Sequence, residues 1–214
     1  RDLHSFPTRR SSDLFVRAVR TKPEGFILPD FGDSPAAPDP ADTAGPAGPR
    51  KLALICSKGN LDMAYPGLIL GHAAAGEGVE THIFFTFWGL DIINRKTNAN
   101  LKFTMLGNTA VHMPELGNLR PGLAHLSLPQ PMGSLPGMTG FSTHFMKKQL
   151  AGLGIPEIPR FLDLLAAAGV HMYACRLTLD MMKIIEADLH PAVEGVVGVA
   201  DFIEISRGAQ TIFI

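Results

Sequence analysis

The sequence predicts an α/β fold in which helices surround a mainly parallel β-sheet. From residue 51 onward, short apolar runs alternate with stretches of helical periodicity, which is the pattern of successive βα units. The two cysteines of the chain each end one of these apolar runs, at Cys56 and Cys175. In open parallel sheets, reactive groups gather at the carboxyl ends of the strands. We therefore expect thiol chemistry at this edge of the sheet.

The elements follow one another in a regular order. The predicted strands are residues 51–56, 80–86, 170–175, 194–198 and 210–214. The first long helix covers residues 60–76, with Asn60 at the N-cap, and Pro66 inside it indicates a late start or a kink. The other predicted helices are residues 91–97, 139–152, 158–168, 178–187 and 199–206. The order of the strands in the sheet cannot be read from the sequence.

The first 49 residues lie outside the predicted domain. Residues 1–14 read as the translation of a sequencing adapter, and we interpret them as an artefact; a targeting segment rich in Arg and Ser is the alternative. Residues 15–49 are dominated by Pro, Ala, Gly and Asp, a composition that cannot bury enough apolar surface to fold. We expect them to be a disordered linker or the remnant of an upstream domain. The folded domain is predicted to cover residues 50–214.

Charge and hydropathy narrow the class of protein. The formal net charge is −1, and without residues 1–14, which carry three Arg and two Asp, it becomes −2. This near-neutral balance argues against a nucleic acid partner. No run reaches the ~18 uncharged apolar residues of a membrane-spanning helix, which leaves only peripheral membrane association open. Two cysteines in a domain of this size do not suggest a disulfide scaffold, so we expect a cytoplasmic location.

An apolar insertion at residues 105–145 interrupts the alternation of strands and helices. It is rich in Met, Gly, Pro and His, and its only charged residues are Glu115 and Arg120. A segment of this length and composition is expected to form a lid or an oligomer contact. Its Met and His residues are irregularly spaced, so we interpret them as packing residues at an interface and not as a copper site. We predict no metal and no organic cofactor.

Cys175 is the stronger candidate nucleophile. Arg176 and Thr178 follow it, and Thr178 is predicted to cap the next helix. The positive end of a helix beside a thiol lowers its pKa from about 8.5 toward neutrality. The Arg176 side chain would add a cation to this effect or point to solvent. The alternative is that Cys175 is one more buried apolar residue, as free cysteines often are.

Cys56 precedes a tight turn that leads into the first long helix. Lys58 and Gly59 lie in this turn, and the Lys58 cation would favour a thiolate or bind an anion. The turn lacks the glycine spacing of a Walker loop or a dinucleotide fingerprint, so we predict no nucleotide cofactor. If the strands that carry Cys56 and Cys175 are neighbours, the two sulfurs could alternate between dithiol and disulfide.

Four segments of the chain resemble the DsrE/DsrF-like sulfur-relay family, most closely its larger subgroup, some of whose members carry peroxiredoxin-like names. The segments are residues 51–59, 84–91, 173–175 and 208–214, and the resemblance extends over residues 50–214. Residues 133–138 of the insertion also match the subgroup. The peroxiredoxin-like name finds no support here, because the chain lacks a Thr-x-x-Cys motif.

The resemblance implies a three-layer α/β/α fold of the flavodoxin-like class, homo-oligomers, and a function as a sulfur carrier or sulfurtransferase. It implies that Cys175 holds sulfane sulfur as a persulfide and that Cys56 is a second cysteine of the site. We expect Trp88, together with Phe87 and the Met-rich segment, to keep water and stray thiols away from the persulfide. The implied partners are TusA-like sulfur carriers and rhodanese-like proteins. Two alternatives stay open: a dithiol–disulfide oxidoreductase that uses both cysteines, and a non-catalytic oligomeric binding module.

Overall fold

A computed structural model describes residues 50–112, 120, 125, 127 and 129–214. The segments predicted as an adapter artefact and a linker, and part of the apolar insertion, lie outside the described residues. The described part contains five parallel strands in the spatial order β4-β3-β2-β1-β5. The strands are β1 (Lys51–Cys56), β2 (Glu80–Phe85), β3 (His171–Cys175), β4 (Gly195–Val197) and β5 (Gln210–Phe213). The predicted α/β fold with a parallel sheet is confirmed.

Within the described residues, six α-helices connect and cover the strands. They are α1 (Leu61–Gly76), α2 (Leu90–Ile93), α3 (Met138–Gly152), α4 (Ile158–Ala167), α5 (Arg176–Met182) and α6 (Val199–Ile205). Helix α1 runs through Pro66 from a start at Leu61, so the proline, in its second turn, does not delay the helix. Helix α4 ends before Gly169, whose φ of +80° is the left-handed conformation that stops a helix.

The two faces of the sheet follow from the strand register. Cys56 of β1 is aligned with Phe85 of β2, and Phe85 is aligned with Ala174 of β3. Because side chains alternate along a strand, these three residues share one face, and Cys175 belongs to the opposite one. The packing of the side chains agrees with this assignment of faces, because Cys56, Phe85 and Ala174 belong to the main apolar core and Cys175 belongs to a separate, smaller cluster.

The main core lies under α1 and α4, on what we call the thick face. Its fully buried members come from the sheet and from both helices, including Leu54, Leu68, Phe85, Phe161 and Leu165. Burial of a side chain of this size stabilises the fold by about 1.5–3 kcal/mol. Most of the stability of the domain therefore comes from this side of the sheet.

The opposite side, which we call the thin face, is covered by α6. Its buried cluster consists of Ala53, Phe84, Cys175 and Phe202. The Phe202 ring of α6 stacks on Phe84 with 4.5 Å between ring centroids. Helix α6 has only seven residues, and the side chains of Val199 and Ile203 on it are 52% and 61% exposed. Cys175 thus lies under the lighter of the two helix layers.

Candidate functional site

Cys175 lies where strand β3 passes into helix α5. Its backbone is extended (φ −74°, ψ 119°), and it occupies the N-cap position of the helix that begins at Arg176. We expected a helix over residues 178–187 capped by Thr178, and this was wrong at both ends. The helix starts two residues earlier, with Cys175 at its N-cap, and the Thr178 hydroxyl contacts Thr86 and the Phe87 N–H. It ends at Met182 because Lys183 adopts a left-handed conformation with φ +54°.

Two threonine hydroxyls meet beside the Cys175 sulfur. Thr178 Oγ1 lies 3.2 Å from Oγ1 of Thr86, the residue that follows β2. The backbone N–H of Phe87 donates to the same Thr178 oxygen at 3.1 Å. Cys175, Thr178 and Thr86 are 1%, 2% and 8% exposed. The site is therefore closed from bulk water and contains hydrogen-bond donors.

These donors favour the charged form of the Cys175 thiol. Burial alone would raise its pKa, but hydrogen bonds from the hydroxyl and N–H of Thr178, the hydroxyl of Thr86 and the N–H of Leu177 outweigh burial, and the pKa of Cys175 lies below its ordinary value. Hydrogen bonds to the charged form are one of the established ways to lower a pKa. A thiolate is the nucleophilic form of cysteine, so these contacts favour the reactive form of this residue.

Arg176 does not contribute to this effect. Its guanidinium lies 2.9 Å from the carboxylate of Glu186, and both side chains are largely exposed. Of the two orientations that the sequence left open, the structure thus has the one directed to the surface. Surface ion pairs of this kind contribute about 0–1 kcal/mol to stability.

The turn after Thr86 forms one wall of the site. Phe87 has a φ of +46°, which is strained for a residue with a side chain. Its ring is 53% exposed and that of Trp88 is 65% exposed. Trp88 lines two grooves, of about 600 and 530 Å³. The first groove has polar residues including Asn60, Lys96 and Lys102, and the second is lined mainly by apolar residues such as Met181 and Ile184.

Cys56 has a different environment. It is 1% exposed, and burial raises the pKa of its thiol to about 12. Its sulfur packs against α1 so closely that a Cβ atom at Gly67 would lie 2.7 Å from Sγ. The expectation that Lys58 favours a thiolate here was wrong, because Lys58 is exposed and acts on the carboxylate of Asp62. At neutral pH Cys56 is a packed, protonated thiol.

Gly59 has a steric role in the same turn. A Cβ atom at this position would lie 2.4 Å from the backbone oxygen of Trp88. Glycine therefore allows the turn after β1 to approach the turn after β2, and in this way it fixes the position of Trp88.

The fold holds the two cysteines too far apart for a disulfide in this arrangement of the strands. Strand β2 lies between β1 and β3, which separates the backbones of Cys56 and Cys175 by about two strand spacings, roughly 9–10 Å. Disulfides join residues whose Cα atoms are usually about 4.4–6.8 Å apart. The side chains also lie on opposite faces of the sheet. The condition that the two strands are neighbours is thus not met.

Thr86 is the residue of the site that the sequence did not identify. It was included as the last residue of the second predicted strand, and it belongs to no sequence motif that would indicate a functional hydroxyl. The position of Thr86, directly after the strand that pairs with the cysteine strand, could have indicated its role, but only once the strand order was known.

Among residues 50–112 and 129–214, no three His, Cys, Asp or Glu side chains come together as a metal site. In the same part of the chain, no helix has the length and hydropathy to span a membrane.

Comparison with known proteins gives consistent results. The sequence profile of the DsrE/DsrF/DrsH-like family matches residues 49–213. Sulfur carrier protein DsrE2 of Allochromatium vinosum is 38% identical over 157 residues, which cover 73% of this chain and 92% of that protein. Uncharacterized protein YrkE of Bacillus subtilis is 22% identical over 166 residues, which cover 77% of this chain and 97% of that protein.

A solved structure is also similar in outline. It is the protein of unknown function MTH1491 from Methanobacterium thermoautotrophicum, with 12% identity and a TM-score of 0.46 over 77% of this chain and 99% of that one. The family match extends over both cysteines and over Thr86 and Thr178. This chain belongs to the DsrE/DsrF/DrsH-like family.

Proposed function

We propose that the protein is a sulfur carrier that holds sulfane sulfur as a persulfide on Cys175. The observation that carries the proposal is the convergence of the Thr86 and Thr178 hydroxyls on a buried thiol whose pKa they lower. The similarity to a protein named as a sulfur carrier supports the same function. In the proposed cycle, TusA-like and rhodanese-like proteins are the donors and acceptors of the sulfur.

Loading is a simple exchange. The Cys175 thiolate attacks the outer sulfur of a donor persulfide, a new S–S bond forms at Cys175, and the donor's S–S bond breaks. The inner sulfur, which stays on the donor, leaves as a thiolate and takes up a proton. The exchange involves no net oxidation and needs no cofactor. Burial of Cys175 would protect the bound persulfide from stray thiols.

The dithiol alternative has little support. A disulfide between Cys56 and Cys175 would require β1 or β3 to leave the sheet, because β2 separates them and their side chains lie on opposite faces. The raised pKa of Cys56 also leaves it without a nucleophilic thiolate at neutral pH.

The proposal is tested by intact mass under non-reducing conditions. Wild type, Cys175→Ser and Cys56→Ala are treated with a persulfide donor and compared. We expect an adduct of about 32 Da, one sulfur atom, in wild type and Cys56→Ala and none in Cys175→Ser. A loss of about 2 Da in wild type that disappears in either variant would instead indicate the redox pair. An unchanged mass in all three proteins would contradict the carrier function and favour a binding module.

A further inference from the structure

The hydroxyls of Thr86 and Thr178 lie beside the sulfur of Cys175, which is the inner sulfur of the proposed persulfide. Both belong to residues that are at least 92% buried, and their oxygens are 3.2 Å apart. Each hydroxyl has a single proton to donate. Either oxygen can be the donor in the contact between them, so one proton of the pair is shared between the oxygens and the other is available for the sulfur. The backbone N–H of Phe87 donates to Thr178 Oγ1 at 3.1 Å, and the turn that follows β2 thus holds this pair in place.

A persulfide can be attacked at either of its two sulfurs, with different products. If an acceptor thiolate attacks the outer sulfur, the S–S bond breaks, Cys175 leaves as a thiolate, and the acceptor becomes the persulfide. If the acceptor attacks the inner sulfur Sγ, a mixed disulfide forms on Cys175 and the outer sulfur leaves as hydrosulfide. Both reactions balance without an oxidant, and only the first one transfers sulfane sulfur.

We propose that Thr86 and Thr178 are positioning residues that direct attack to the outer sulfur, an inference that rests on the proposed carrier function. The hydroxyl pair donates to Sγ when it leaves as a thiolate, and a stabilised thiolate is a faster leaving group. Attack on the outer sulfur releases Sγ as a thiolate, whereas attack on Sγ does not, so this stabilisation favours the first reaction.

The lowered pKa of Cys175 is consistent with this role, because the same hydroxyls stabilise the negative charge that develops on Sγ during transfer. Thr178 is expected to matter more than Thr86. Its hydroxyl both faces the sulfur and holds the strained Phe87 turn, whereas a Thr86 variant leaves the Phe87 N–H bond in place.

The test measures the products of discharge. Wild type, Thr86→Val and Thr178→Val are loaded with persulfide and then treated with a monothiol such as N-acetylcysteine. Intact mass separates the free Cys175 thiol from its mixed disulfide, and an alkylating reagent traps the acceptor persulfide. We expect wild type to return mainly to the free thiol, Thr86→Val to show about a fivefold higher share of mixed disulfide, the effect of one typical hydrogen bond, and Thr178→Val to show a larger increase.

Two further variants separate positioning from packing. Thr178→Ser retains a hydroxyl and is expected to give the wild-type product ratio and the wild-type pH profile of Cys175 alkylation. Thr81→Val removes another buried hydroxyl of β2, one that donates to the Val79 carbonyl at 2.9 Å, and is also expected to leave the ratio unchanged.

The outcomes distinguish the two proposals. Valine variants that load and discharge like wild type would overturn the positioning role, as would a serine variant that behaves like Thr178→Val. A wild type that takes up no sulfur would overturn the carrier function itself. If Thr178→Val does not fold, as judged by circular dichroism, the decision rests on Thr86→Val in the same assay.

Discussion

The contact between Gly67 and Cys56 allows a quantitative test of whether Cys56 is a packing residue. A Cβ atom at Gly67 would lie 2.7 Å from Cys56 Sγ and 3.5 Å from the Ile214 side chain. Overpacking of a well-packed core costs about 1–3 kcal/mol, and replacement of a helical glycine by alanine gains about 1 kcal/mol. For Gly67→Ala we therefore expect a net loss of about 0–2 kcal/mol.

The same substitution should have the opposite sign when the sulfur is absent. In a Cys56→Ala background the new methyl group occupies the space of Sγ, so only the helix gain of about 1 kcal/mol remains. The coupling between the two substitutions is then about 1–3 kcal/mol, well above the error expected for independent sites. Urea unfolding of the four proteins, followed by circular dichroism, gives this value directly.

Gly71→Ala is the matched control. It lies in the same helix, and its Cβ would meet the flexible end of Ile83 at 2.9 Å, with no contact to Cys56. Its effect should be equal in both backgrounds. The reasoning would be refuted if Gly67→Ala changed the free energy of unfolding by the same amount with and without the Cys56 sulfur.

Four further results are expected. Gly89→Ala should destabilise the fold by about 3 kcal/mol or more in urea unfolding, because its Cβ would lie 2.1 Å from a backbone carbonyl oxygen of β1; Gly140→Ala, whose Cβ meets nothing within 4 Å, should stabilise it by about 0.5–1 kcal/mol. Burial lowers the pKa of His82, so the contribution of the neutral imidazole to stability is complete above pH 6.5 and is lost as the pH falls below that value. Thermal unfolding at a series of pH values should therefore show a weaker pH dependence for His82→Gln than for wild type. An equal pH dependence in the two proteins would contradict this. Arg176→Gln should leave the pH profile of Cys175 alkylation unchanged, since the guanidinium pairs with a glutamate; an upward shift would show that its charge reaches the sulfur.

The strands could be predicted from the sequence because buried parallel strands are continuous apolar runs. Residues 51–56 were predicted with the observed bounds, and the other four strands differ by a single residue at one or both ends. Helix α5 was placed less well. Cysteine is not among the preferred N-cap residues, so the pattern directed the cap to Thr178 and not to Cys175.

The candidate site could be predicted only in part. Cys175 and Thr178 are close in sequence, and local reasoning brought them together. Thr86 lies about ninety positions away and reaches them through the pairing of β2 with β3, which is a non-local contact that no local pattern encodes. The separation of the two cysteines depends on the same strand order, and so whether their strands are neighbours could be learned only from the structure.

The thin face also has a consequence for the timescale on which Cys175 reacts. A thiol that is 1% exposed reacts only when part of its cover opens, and α6 is attached to this face mainly through Phe202. One buried phenylalanine contributes about 1.5–3 kcal/mol, whereas global unfolding of a domain typically costs about 5–15 kcal/mol. Local detachment of α6 is therefore far more frequent than unfolding. Hydrogen exchange should place the amides of α6 among the fastest of the helical amides, and the rate of sulfur uptake should follow that opening.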